Sequence, residues 1–221
     1  MHCGHCTAVC PQGAVHLDGV SPESLLSTAP LPEKEQLVAL IRGRRSMRTF
    51  KKQPVPENLL IEALDTARYA PTGKNLENVS WLVLDGRDTL RRIADAVVDS
   101  CRGDSRMSDV VLAHDRGDDP IFRGAPCAVF ACADNAYDLA VVNCAIAVST
   151  LDLLLPVLGL GGCWAGYVMR AALNKNVRNV MGMEDGLVPM AGLMIGFPDV
   201  HYCRIPRRRE LRVRWLKGEK A

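Results

Sequence analysis

The sequence predicts an α+β fold, on three observations. Largely apolar runs at 79–84, 127–132 and 190–196 have strand length and strand composition. Between them lie segments whose apolar residues recur at helical spacing, first at Leu37, Leu40 and Ile41, then at Leu60, Ala63, Leu64 and Ala67. The two kinds of segment do not alternate as clean βαβ units, which argues against a doubly wound parallel sheet.

The chain has 221 residues, 48% hydrophobic and 24% charged, so it can bury a sizeable core and is not of disordered composition. A formal net charge of +2 gives no electrostatic case for nucleic acid or an anionic membrane surface. No charged n-region with an apolar h-region opens the chain, and a cytoplasmic setting is expected. The longest apolar run, 139–160, is interrupted by Asn143, Ser149, Thr150 and Asp152 and reads as a buried helix, not a membrane span. Nine cysteines are then expected as free thiols or metal ligands of a reducing compartment.

Taken in order, residues 1–20 are loop-like and cysteine-rich, 21–32 form a Pro/Ser-rich linker, and 33–221 form the main domain. After the helix that carries Leu37, a second is expected over about 56–69, with Pro56 near its first turn and Pro71 and Gly73 ending it. A strand over 79–84 follows, then a helix capped by Asp88 and running to about Val98. Residues 101–124 are polar and rich in Gly and Asp and read as a mobile excursion. The strand at 127–132 leads into the apolar helix, expected over about 137–158. GLGGCWAG reads as a glycine-rich turn, 190–196 as a third core strand, and 204–214 as an arginine-rich tail.

The opening MHCGHCTAVCP places Cys3, Cys6 and Cys10 as C-x2-C-x3-C-P. That is the end of a two-cluster ferredoxin run, C-x2-C-x2-C-x3-C-P, whose last cysteine serves the other cluster. The first cysteine of the run would fall just before Met1. The segment therefore resembles the end of a ferredoxin module, with Cys3 and Cys6 directed to one cluster and Cys10 to another, and an incomplete ligand set for each. A [4Fe–4S] cluster is expected only with an upstream segment present. The plainer readings are a frayed terminus, or adventitious zinc on Cys3, Cys6, His2 or His5.

Two further stretches carry binding chemistry. In RGRRSMRTF, Arg44, Arg45 and Arg48 flank Ser46; guanidinium forks and a hydroxyl can grip a phosphate from several directions, although a solvated basic turn has the same composition. In APTGKNLENVSWLVL, a turn of small residues precedes a core strand and could bring backbone N–H groups and the Asn75 amide to a flat heterocycle, or be an ordinary loop.

Together these stretches resemble the FMN-dependent nitroreductase family, which carries an RRSxRxF-like motif, an APSGxNxQPW-like motif, a GLGxCW-like turn and a C-terminal arginine in this order; IFRGAP also matches family text. The kind fused to a two-cluster ferredoxin module accounts for the opening cysteines. The resemblance implies a mixed sheet flanked by helices, an intertwined homodimer and FMN at the subunit interface. It implies that Arg44, Arg45, Ser46 and Arg48 hold the FMN phosphate and ribityl chain. Pro71, Thr72 and Asn75 would approach the isoalloxazine, and the backbone N–H groups of Ala165 and Gly166 would lie near N5. The phosphate-binding arginine of the tail matches Arg208, or Arg209 with a slip of one. Glu77 stands where the family usually has Gln, and Asn78 where it often has Pro. A carboxylate there opposes an anionic reduced ring unless it is turned away or paired with Lys74; Lys74 could itself face the N1/C2 edge. The activity implied is electron transfer from NAD(P)H, or from a ferredoxin module or other electron-donor protein, to a nitroaromatic or quinone, with no catalytic acid or base named. The rivals are other flavin chemistry on the same scaffold, reductive dehalogenation or flavin destruction, and an iron–sulfur or metal-binding carrier, which leaves residues 33–221 unexplained.

Overall fold

The computed structural model describes residues 3–216; Met1, His2 and residues 217–221 lie outside them. The core is one four-stranded sheet built from β1 (Ser80–Asp85), β2 (Cys127–Asp134), β3 (Gly161–Trp164) and β4 (Leu187–Gly196), in the order β1-β2-β4-β3. β2 is buried along nearly its whole length because helices cover both faces of the sheet, which is why its sequence is continuously apolar. Ala128, Phe130 and Cys132 pack to one side, and Cys127, Val129, Ala131 and Ala133 to the other.

Helices α3 (Glu57–Ala67) and α6 (Ala140–Leu154) enclose the second of these cores, with Leu60, Ala63, Leu64 and Ala67 inward as their spacing predicts. The other core is covered by α4 (Arg87–Cys101), α5 (Ser108–Asp115), α7 (Gly166–Ala171) and α8 (Lys175–Val180). Two further helices lie outside both layers. The short α1 (His5–Val9) holds Cys6, and α2 (Lys34–Gly43) opens with a capping box between Glu33 and Gln36.

The α+β class is as expected, but the sheet differs from the mixed one implied by resemblance: all three ladders among the described residues are antiparallel. The connections explain this. Two helices separate β1 from β2, and two separate β3 from β4, so the chain returns each time to the end of the sheet it left. One helix joins β2 to β3; these strands run in the same direction but β4 lies between them. β4 carries an irregularity opposite Ala131/Cys132, where Pro189 sits at a break in register.

Three local expectations are corrected. Residues 101–124 are not a mobile excursion: they contain a 3-10 turn and α5, and Met107, Ile121 and Phe122 are fully buried. Asp88 lies in the first turn of α4 and not at its cap, which is Gly86 at φ 86°. GLGGCWAG is an edge strand that runs directly into α7.

Candidate functional site

The arginine segment is extended, not a helix or free turn. After α2 ends, Met47 N–H donates to the Gly162 carbonyl (2.9 Å), Lys51 N–H to Phe197 (2.9 Å), and Asp199 N–H returns to Thr49 (3.1 Å). The segment thus meets β3 at Gly162 and the chain just beyond β4 at Phe197 and Asp199; Arg44, Arg45, Met47 and Lys51 line one cleft and Arg48 another. Gly161 is required here, since a Cβ would collide with the Met47 side chain; at Gly162 a Cβ would meet Leu155 at 2.7 Å and Asp152 Oδ1 at 3.1 Å.

The first cleft, of about 620 Å³, is lined by Arg44, Arg45, Lys51, Asp152, Gly162 and Tyr202, among others. Arg44 Nη1 donates to Asp152 Oδ2 at 2.9 Å. Burial pushes the Asp152 carboxyl above the ordinary carboxylate range, and the Arg44 guanidinium pulls it back. Asp152 Oδ1 and Arg45 Nε are buried with no hydrogen-bond partner, and the Arg45 guanidinium lies 5.7 Å from the Tyr202 ring centroid. The second cleft, of about 310 Å³, is lined by Arg48, Cys163, Trp164 and Gly166 with residues of the 121–123 turn, α7 and β4. Ser46 lies between, half-buried.

The 71–77 loop sits apart from both. Thr72 and Glu77 line a third cleft of about 270 Å³ beside Ala67, Val79 and Trp81. Lys74, Asn75 and Glu77 all have positive φ, at 56°, 51° and 49°, a strained run for residues other than glycine. The loop is held by Thr72 Oγ1, which accepts the Glu77 N–H (3.0 Å), and by Asn143 of α6. Asn143 Oδ1 accepts the Gly73 N–H and its Nδ2 donates to Asn78 Oδ1, each at 3.0 Å. Glu77 is paired with Asn75 Nδ2 (2.8 Å), not with Lys74, so the Asn75 amide is engaged within its own loop.

Of the two residues at the start of α7, Ala165 already donates its N–H to the Gly192 carbonyl (2.9 Å), and Gly166 is exposed. Pro71 is exposed, as are Arg208 and Arg209, which lie in an extended tail. At the other end, Cys3, Cys6 and Cys10 are free thiols; among the described residues no group of three or more His, Cys, Asp or Glu side chains is placed to hold a metal. The Cys3 thiol is pulled down by hydrogen bonding to His5, and Cys10 Sγ accepts the Ala14 N–H at 3.4 Å.

Sequence reasoning passed over Asn143 and Asp152, noting both only as interruptions of an apolar run. The signal was present: buried polar residues inside such a helix need partners, and these two anchor the loop and the first arginine.

Comparison with known proteins places this arrangement. A protein of Methanothermobacter thermautotrophicus, provisionally named an NADH dehydrogenase/NAD(P)H nitroreductase, is 24% identical over 169 residues, covering 75% of this chain and 78% of its own. A Bacteroides fragilis nitroreductase solved with bound FMN superposes with a TM-score of 0.67 at 18% identity, over 80% of this chain and 95% of that one. A nitroreductase of Desulfitobacterium hafniense, also with bound FMN, gives 0.66 at 22% identity, over 79% and 94%. The solved structures share the overall fold, and the sequence model of the nitroreductase family matches residues 41–197, from the end of α2 through β4: the chain belongs to the nitroreductase family.

Proposed function

We propose that this chain is an FMN-dependent oxidoreductase that draws electrons from NAD(P)H and delivers them to a nitroaromatic or quinone acceptor. The names of the relatives support the reaction class, and the FMN-bound neighbours support the cofactor. The observation that carries the reading is the segment 44–48. It is fixed to β3 through Met47 and presents Arg45 and Arg48 with no carboxylate within 4.0 Å among the described residues. A guanidinium whose buried Nε lacks a partner suits a phosphate-bearing ligand in that cleft.

When bound, FMN supplies a two-electron relay between NAD(P)H and the acceptor. The chain's own residues bind and orient. Arg45, with Arg44 and Ser46, would hold the phosphate and ribityl chain in the first cleft; Arg48 would place its charge beside the ring near Gly166. Asp152 keeps Arg44 directed inward, and the glycines of β3 let Met47 and Leu155 pack close against the strand. No side chain of this chain is assigned a proton-transfer role.

The separation of the clefts supports a site shared between two copies. One chain's 71–77 loop does not line the cleft that holds Arg44 and Arg45. A second copy could supply it. Exposed apolar residues support such an assembly: Leu37 and Ile41 on α2, Val141 and Val142 on α6, and Leu211 and Val213 on the tail.

The test is flavin selectivity. The purified chain should bind FMN in preference to riboflavin, followed by flavin absorbance and fluorescence quenching. Equal affinity for the two would remove the arginines from the phosphate and defeat this assignment.

A further inference from the structure

The second cleft holds more positive charge than a flavin site at Arg48 requires. Arg123 and Arg170 also line it, and among the described residues none of the three guanidiniums has a carboxylate within 4.0 Å. Arg170 makes only a soft contact, Nη1 to Met107 Sδ at 3.5 Å. Asp104 feels its charge but is already held by Arg106, at 3.0 and 2.8 Å.

Arg123 is displayed at a conformational cost. Its φ is 56° and that of Gly124 is 72°. Both oxygens of Asp119 hold this turn, accepting the N–H of Phe122 and of Gly124 at 2.8 Å each, so Asp119 fixes the Arg123 backbone without neutralising its side chain. The buried Ile121 and Phe122 lock the turn into the core. The remaining walls are flat or apolar: Trp164 is 40% exposed although it ends a strand, Tyr167 stands beside it, and Met194 forms the floor.

We propose that Arg123 and Arg170 select the electron acceptor, and that the preferred acceptor is a single aromatic ring bearing a carboxylate. The proposal rests on the flavin reading above and deepens it by naming the substrate class. A guanidinium fork matches a carboxylate with two parallel hydrogen bonds, and an indole face receives an aromatic ring. The Arg123 and Arg170 side of the cleft would receive the substituted ring, against the flavin bordered by Arg48 and Gly166.

The test compares 4-nitrobenzoate with its methyl ester on the FMN-loaded chain, in the parent and in Arg123→Gln and Arg170→Gln. Each variant should lower kcat/KM for the acid by roughly tenfold, mainly through KM, and leave the ester within about twofold, the size expected for one charge-assisted contact. Benzoate binding by calorimetry gives a second readout. It should weaken by a similar factor in each variant, and weaken with added salt in the parent. FMN uptake, read by absorbance, should be unchanged by both substitutions. A chain that takes up no FMN would defeat the flavin reading alone, since benzoate titration still reports on the arginines. Equal benzoate affinity in all three proteins would overturn the proposal. So would variants whose only change is a lower preference for NADPH over NADH, which would assign the arginines to the 2′-phosphate.

Discussion

Arg44, Arg45 and Arg48 lie within five positions yet occupy three environments: one paired with a buried acid, one stacked on a tyrosine, one open to a second cleft. Their residue types were legible in the sequence, because a run of guanidiniums about a hydroxyl has few chemical uses. Their partners were not, because Asp152 is 108 positions away from Arg44 and Tyr202 is farther still from Arg45. Removing an unneutralised arginine should show directly in flavin affinity. Arg48→Ala is expected to weaken FMN binding by about 1.5–3 kcal/mol, the worth of one charge-assisted hydrogen bond, as read by fluorescence titration. Asp152 makes a prediction about pH. Its carboxyl is raised by burial, so the folded chain holds that proton more tightly than the unfolded one. Its contribution to stability is therefore full below the ordinary carboxylate range and is lost as pH rises through the raised value. Measured against Asp152→Asn, the parent should lose stability as pH rises above the ordinary carboxylate range, as followed by urea midpoints. The opposite trend would mean that Arg44 outweighs the burial.

At the scale of the element, long and strongly patterned segments were readable and short ones were not. α3 and β2 follow directly from apolar spacing and a continuous apolar run. β3 was read as a turn because its four residues begin with two glycines, which have low strand propensity; the edge pairing with β4 overrides that preference. α5 was hidden by the glycines and aspartates that flank it. Gly192 lies opposite Phe130 in the ladder, and a Cβ there would strike the Phe130 ring, which has no exposed surface. Gly192→Ala should cost about 1–3 kcal/mol of stability through overpacking, measured by thermal or urea unfolding. Asn143 ties α6 to the 72–78 loop from both ends of its amide. Asn143→Ala should destabilise the chain by about 1–3 kcal/mol and speed amide exchange at Gly73 more than in the sheet.

For the whole molecule, the two helical layers and one sheet were legible as a class, while the antiparallel order depends on how many helices lie in each connection. The 71–77 loop and the first arginines line separate clefts, and the tail is exposed from 201 to 216. If two copies share the site, sedimentation should show a species near twice 24.1 kDa. Deleting residues from Ile205 onward should then release flavin and dissociate that species together. A flavin-loaded monomer would instead require the clefts of a single chain to suffice.

Among the described residues the sheet contains no hairpin. Each pair of neighbouring strands is separated in sequence by helices, so pairing must close long loops before it is rewarded. Refolding is therefore expected to be slow for a chain of this size. Three thiols inside that sheet and its helix, Cys127, Cys132 and Cys144, are pushed by burial to about 12, 11 and 12. They are shielded and un-ionised while the layers stay closed, and become ordinary reactive cysteines when the layers part. The core carries its own clock: the rate at which an alkylating reagent consumes these three sulfurs reports how often the molecule opens.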